Sequence, residues 1–131
     1  MSSGVPTPTT PAEAIQALST ALRDGRVADA LALYEPDAVF IPQPNAQPLS
    51  GRDAIASALS QFAALQPEMT SSIRALVVAG DVATVINDWH LRGTAPDGAP
   101  VNMAGTSADV MRRRADGSWG IVIDNPWALP A

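Results

Sequence analysis

The chain has 131 residues, 47% of them hydrophobic, with no cysteine, one histidine and a formal net charge of −5. This length fits one domain with a sizeable core. The acidic balance argues against nucleic acid or an anionic membrane surface as a partner, and the absence of cysteine excludes disulfides and thiolate metal sites.

The first nine residues are mostly Ser, Thr, Pro and Gly and read as a flexible tail. They have no basic start and no apolar core, so a secretory signal is not expected. No apolar stretch approaches the ~18–20 residues of a membrane span, so no membrane partner is expected, and the expected location is cytoplasmic. Thr10-Pro11-Ala12-Glu13 is a helix start: Thr10 caps, Pro11 fits the first turn and Glu13 completes a capping box. Ile15, Leu18 and Leu22 form its apolar stripe, which ends near Gly25. A second helix places Val27, Ala30, Leu31 and Tyr34 on one side and stops at Pro36.

Ala38–Ile41 reads as a short strand, and the three prolines of Pro42–Pro48 make an irregular connection. Ser50-Gly51-Arg52-Asp53 opens a third helix with Ile55, Leu59, Phe62 and Leu65 inward. Four strands follow, Met69–Val78, Val82–Arg92, Val101–Arg114 and Trp119–Asp124, joined at Gly80-Asp81, Asp97-Gly98 and Asp116-Gly117. Pro126 and Pro130 make the end non-regular. The expected organisation is one α+β domain over residues 10–127, between tails 1–9 and 128–131, with helices segregated from an antiparallel sheet.

Period 2 divides Val101–Arg114 into two faces. Val101, Met103, Gly105, Ser107, Asp109 and Met111 form the more apolar one, with two polar insertions, as a ligand cavity would. Asn102, Ala104, Thr106, Ala108, Val110 and Arg112 form a flat, small-residue face. Asp109 and Asp124 thus both point to the apolar side. A carboxylate buried without a partner is costly, so such a group neutralises or marks a polar pocket. Asp109 reads either as a pocket acid or as a structural group bound to Ser107, Asn87 or a backbone amide. Asp124 reads either as a base or as the cap of the Asn125-Pro126 turn. If they share a pocket, repulsion makes one an acid and the other a base.

Trp89 either stacks on a ligand or fills the core, and Trp127 closes the pocket mouth or lies on the surface. His90, one residue from Trp89, faces away from the pocket. One histidine and no cysteine give no metal site. Arg112-Arg113-Arg114 reads as a solvated turn or ion-pair cluster.

The element order resembles the nuclear-transport-factor-2-like superfamily, in its SnoaL-like and ketosteroid-isomerase-like branch. Four stretches carry the likeness: Ala21–Arg26, Ala32–Phe40, Gly51–Ile55 and Arg112–Ile121. The resemblance implies a cone-shaped cystatin-like α+β roll with a deep pocket, commonly a homodimer through the outer sheet face, here Asn102, Thr106, Ala108 and Val110. It puts Asp109 where steroid isomerases keep a protonated aspartic acid. It also puts Asn87, Trp89, Leu91, Val122 and Asp124 on the pocket side, with Tyr34 at a family pocket tyrosine. Pro42 stands at the isomerase base and Leu18 at the oxyanion tyrosine, so steroid isomerisation is not expected. The expectation is a pocket for a small apolar or oxygenated metabolite that needs no cofactor. Asp109 and Asp124 would be its catalytic groups, and Tyr34, Asn87, Trp89, Ser107, Met111, Val122 and Trp127 would contact the ligand. A non-catalytic binding or dimerisation module is the alternative.

Overall fold

A computed structural model describes residues 7–130. Helix α1 spans Pro11–Arg23, α2 Val27–Ala32 and α3 Arg52–Ala63. The strands are β1 Tyr34–Phe40, β2 Leu49–Ser50, β3 Glu68–Ala79, β4 Val82–Thr94, β5 Pro100–Arg113, β6 Trp119–Asp124 and β7 Leu129–Pro130. They form one sheet in the order β2-β1-β6-β5-β4-β3, with β7 paired to β5. The α+β class is as expected, but the sheet is mixed, because β1 and β6 run parallel.

The start of α1 follows its sequence signals. Thr10 accepts the amide of Glu13 at 3.1 Å. The Glu13 carboxylate returns to the amide and hydroxyl of Thr9, both at 3.0 Å, one residue earlier than a standard capping box. Ala14, Ala21 and Leu22 are buried, while Ile15 and Leu18 remain partly open because they face a cavity. At α3 the cap is Gly51, at φ 89, with no side-chain hydrogen bond; Ser50 is taken up by β2.

Tyr34 and Pro36 do not belong to the second helix. Both lie in β1, and the strand tolerates the proline for a stated reason. Between Tyr34↔Ile121 and Val39↔Ile123 the pairing advances five residues on β1 and two on β6. Pro36 falls in that excess segment, where no ladder hydrogen bond is asked of it. Two tail expectations also change. Residues 1–6 lie outside the described residues, but Pro8 is buried and its carbonyl accepts the amide of Trp119 at 3.1 Å. At the other end, Leu129–Pro130 is a short strand, not an irregular tail.

The core lies between the helices and one face of the sheet, around Leu22, Leu33, Phe40, Ile55, Leu59, Val85 and Ile121. The opposite face holds polar pairs. His90 bonds Asn102, and Thr106 donates to Asp88 at 2.6 Å. Arg74, on β3, pairs with Asp88 at 2.7 Å. The arginine run is an ion-pair cluster: Arg113 reaches Asp81 at 2.6 Å, and Arg114 reaches the buried Glu35 at 2.7 Å. Among the described residues, no helix is long and apolar enough to cross a membrane.

Gly93 sets how closely the end of α3 meets β4. A Cβ there would lie 2.6 Å from the backbone carbonyl of Leu65, which also accepts the Thr94 amide at 2.9 Å. Gly93→Ala is therefore expected to destabilise by about 1–3 kcal/mol, read as a lower urea midpoint. An unchanged midpoint would mean that this junction yields freely.

Candidate functional site

The inner face of β4 and β5 supplies the floor of the site. Cross-strand pairing puts Asn87 opposite Ser107, Trp89 opposite Gly105 and Val85 opposite Asp109. Side chains of paired residues share a face, so Asn87, Trp89, Ser107, Asp109 and Met111 all turn inward, as their alternation predicts. Gly105 is needed beneath Trp89: a Cβ would come within 3.2 Å of both the indole and the Pro126 carbonyl. That carbonyl accepts the Trp89 Nε1 proton at 2.7 Å and fixes the ring.

Strand β6 breaks the alternation. Val110 pairs with Ile123 but Met111 pairs with Ile121, so an extra residue is accommodated between them. Ile121 and Asp124, three residues apart, therefore both face the cavity. Val122, expected on the pocket side, is only half-buried and does not line it. The cavity holds about 90 Å³ and is roofed by Ile15, Leu18, Ser19 and Leu22 of α1 and by Leu59 and Phe62 of α3. Tyr34, Asn87, Trp89, Ser107, Asp109, Met111, Asp124 and Trp127 all line it. Ser71 of β3 lines it too. Its parity with Met69 and its place opposite Trp89 could have revealed it. Ile121 could not have been found, because the irregular residue in β6 has no sequence signature.

Three side chains from adjacent strands meet at one end of this apolar box. Tyr34 Oη donates to Asp124 Oδ2 at 2.5 Å. Asp109 Oδ2 accepts from Ser107 Oγ at 3.0 Å, and Asp109 Oδ1 accepts the amide of Asn125 at 3.1 Å. The mutual interaction of Asp109 and Asp124 acts to raise Asp109 and to lower Asp124. Burial, and then the negative charge of Asp124, hold the Asp109 carboxyl well above the usual range, against the lowering effect of the Asn125 amide and Ser107. Burial also raises Asp124, opposed by the hydrogen bonds from Tyr34 and Asp109. Tyr34 is pushed up by burial first and Asp124 second, so it remains a donor. Charge on either carboxyl disfavours charge on the other, and Asp109 is the more strongly raised of the two.

Two further polar atoms facing the cavity have no partner within the protein. Asn87 Nδ2 reaches Ser71 Oγ at 3.3 Å, which leaves Asn87 Oδ1 unpaired. Trp127 Nε1 is also unpaired, with its ring edge-on to Trp89 at 5.0 Å and 82°. Buried polar atoms are seldom left so. Among the described residues no arginine lines the cavity, and Arg74, on the edge strand β3, is engaged on the outer face. Among the described residues, no group of three or more His, Cys, Asp or Glu could hold a metal ion.

The SnoaL-like domain family matches residues 15–120. The sequence has no match among curated proteins. Among solved structures, the fold is similar to a candidate calcium/calmodulin-dependent protein kinase type II association domain from Thiobacillus denitrificans. The two are 27% identical over 92% of this chain and 95% of that one, with a TM-score of 0.73. A ketosteroid isomerase-like protein from Erwinia carotovora is 25% identical over 85% and 87%, with a TM-score of 0.71. A protein with a cystatin-like fold from Novosphingobium aromaticivorans is 18% identical over 86% and 75%, with a TM-score of 0.69.

The raised carboxyls make stability depend on pH with a definite sign. A folded-state pKa above the unfolded value of ~3.9 contributes stability that is complete below that value and is lost as pH rises through the folded pKa. Asn at 109 mimics the protonated acid: its amide can donate to Asp124, and its carbonyl can accept from Asn125. Urea denaturation from pH 4 to pH 8 should therefore show wild-type stability falling relative to Asp109→Asn as pH rises. A variant less stable than wild type at pH 8 would instead make Asp109 an ionised, satisfied structural group.

Proposed function

The chain belongs to the SnoaL-like domain family, and from that membership and the chemistry of the cavity we propose that it is an acid–base enzyme acting on a small, mostly apolar carbonyl compound. The single observation that carries this reading is that the buried carboxyls of Asp109 and Asp124 line one end of the same apolar cavity. The fold alone does not choose a function, since one similar structure is named for kinase association and another for isomerase likeness.

The mechanism follows from the hydrogen bonds. A carbonyl oxygen that enters beside Asp109 takes over the hydrogen bond that Asp109 gives to Asp124. Asp124 then loses a stabilising donor and becomes a stronger base, while Asp109 stabilises the developing oxyanion. Asp124 removes a proton from the carbon next to the carbonyl. Return of the proton at another carbon gives isomerisation, and attack of the enolate on a second carbonyl gives aldol-type cyclisation. Tyr34 keeps Asp124 oriented, and Asn87 and Ser107 bind the polar end of the substrate. Asp109 and Asp124 supply the proton transfer themselves, so no cofactor is required by this route.

A second reading, a ligand-binding module without catalysis, is favoured by Asp124 already being engaged by Tyr34 and Asp109. One measurement separates them. With 2-butanone in deuterated buffer, the enzyme reading expects exchange of the α-protons by NMR, reduced roughly 10²–10⁴-fold in Asp109→Asn and in Asp124→Asn. Binding with exchange no faster than in buffer favours the second reading.

The same proposal includes a two-fold dimer through the outer face of the sheet. Thr106, expected in that contact, is itself buried under Asp88. The supporting feature is a row across four strands, Val77, Thr84, Val110 and Ile123, joined by successive pairings. Val77 is 62% and Ile123 39% exposed, so both ends of this row present apolar side chains to solvent. Light scattering at micromolar concentration should give twice the chain mass, falling to one chain mass in Val77→Arg. A wild-type monomer would refute the contact.

A further inference from the structure

The inner cavity does not end at bulk solvent on every side. Phe62 and Trp127 line it, and the same two side chains line a second, open groove of about 440 Å³. The rest of that groove comes from Pro42, Gln43 and Pro44 in the β1–β2 connection, Ala58, Gln61 and Leu65 in and just after α3, and Met103 of β5. The groove and the cavity are therefore neighbours with a shared wall of two aromatic rings.

The two rings of the Trp89–Trp127 pair differ in how they are held. Trp89 is 7% exposed and its Nε1 proton is bound to the Pro126 carbonyl. Trp127 is half-buried and its Nε1 has no acceptor within the protein. The chain on either side of Trp127 is tied down: Asp109 takes the Asn125 amide, the Ala108 amide takes the Asn125 carbonyl, and β7 pairs with β5. Turning the Trp127 ring breaks no hydrogen bond, whereas turning Trp89 breaks one. The inner volume of about 90 Å³ is also less than the ~150 Å³ that accepts a benzene-sized guest. Only the reactive end of a longer molecule would fit inside.

We propose that the groove is a second subsite of the same pocket, that Trp127 is the movable partition between the two chambers, and that the ligand is a carbonyl compound with an apolar chain. The carbonyl end lies at Asp109 and Asp124. The chain passes Phe62 and Trp127 and lies along Pro42, Leu65 and Met103, where apolar surface is buried on both sides. The inference rests on the carbonyl reading of the inner site and adds the length and character of the substrate.

The test is a homologous series of methyl ketones (2-butanone, 2-octanone and 2-dodecanone) titrated into the protein and followed by tryptophan fluorescence and calorimetry. Each methylene that enters the groove is expected to tighten binding roughly fourfold, the equivalent of ~0.8 kcal/mol per buried CH₂. Gln61→Trp, which fills the groove from the exposed side of α3, should collapse the series, so that the twelve-carbon ketone binds no tighter than the four-carbon one. A chain-length dependence that survives Gln61→Trp overturns the groove assignment. If 2-butanone binds and length makes no difference in the wild-type protein, the groove proposal falls while the inner site stands. If no ketone of any length binds, the carbonyl reading falls and takes the groove with it.

Discussion

Two carboxyl groups enclosed in an apolar pocket cannot both be charged. Each ion would lose its hydration, and the two charges would repel across a medium that screens them poorly. Protonation of one such group would remove a charge and let the repulsion give way to a hydrogen bond. Much of the local structure is organised around the two carboxyls. Tyr34 begins β1, Asp124 ends β6 and Asp109 lies in β5, so the three groups come from three adjacent strands of the sheet. Ser107 and the Asn125 amide complete the donors around the pair.

The arginines are placed away from the two carboxyls. Arg74 is held by Asp88 on the outer face, and the Arg112–Arg114 run is occupied by Glu35, Asp37 and Asp81 at the strand ends. None lines the cavity. The donors that reach the two carboxyls, Tyr34, Ser107 and the Asn125 amide, are all neutral. An inward cation would have depressed both carboxyl pKa values and made the pair a structural ion cluster.

Much of this could be read from the chain. Alternation in Val82–Arg92 and Val101–Arg114 put Asn87, Trp89, Ser107, Asp109 and Met111 inward and His90 outward, and the pairing of β4 with β5 agrees residue by residue. Within a regular antiparallel hairpin, side-chain direction is a local property, so parity is enough. The failures lie where regularity ends. Val122 was expected where Ile121 sits, because an irregular residue between Ile121 and Ile123 puts the two parts of β6 out of parity with each other. Asp124 was nevertheless placed correctly, because it lies on the far side of the same irregularity. Tyr34 reached the right pocket on the wrong element, since a strand that absorbs a proline in an unpaired excess segment looks like a helix end.

By itself the sequence determined the α+β class, the three helices, the hairpin ladder and the apolar face carrying Asp109. These follow from periodicity, turn residues and caps, which act over a few residues at a time. The tertiary structure alone decided that β1 lies parallel to β6, that the chain end returns as β7, and that Asp109, Asp124 and Tyr34 meet. It also decided that Trp127 lines both the cavity and the neighbouring groove. Each of these depends on the register between segments distant in the chain, which is set by packing the whole sheet against the helices and leaves no mark in any one stretch of residues.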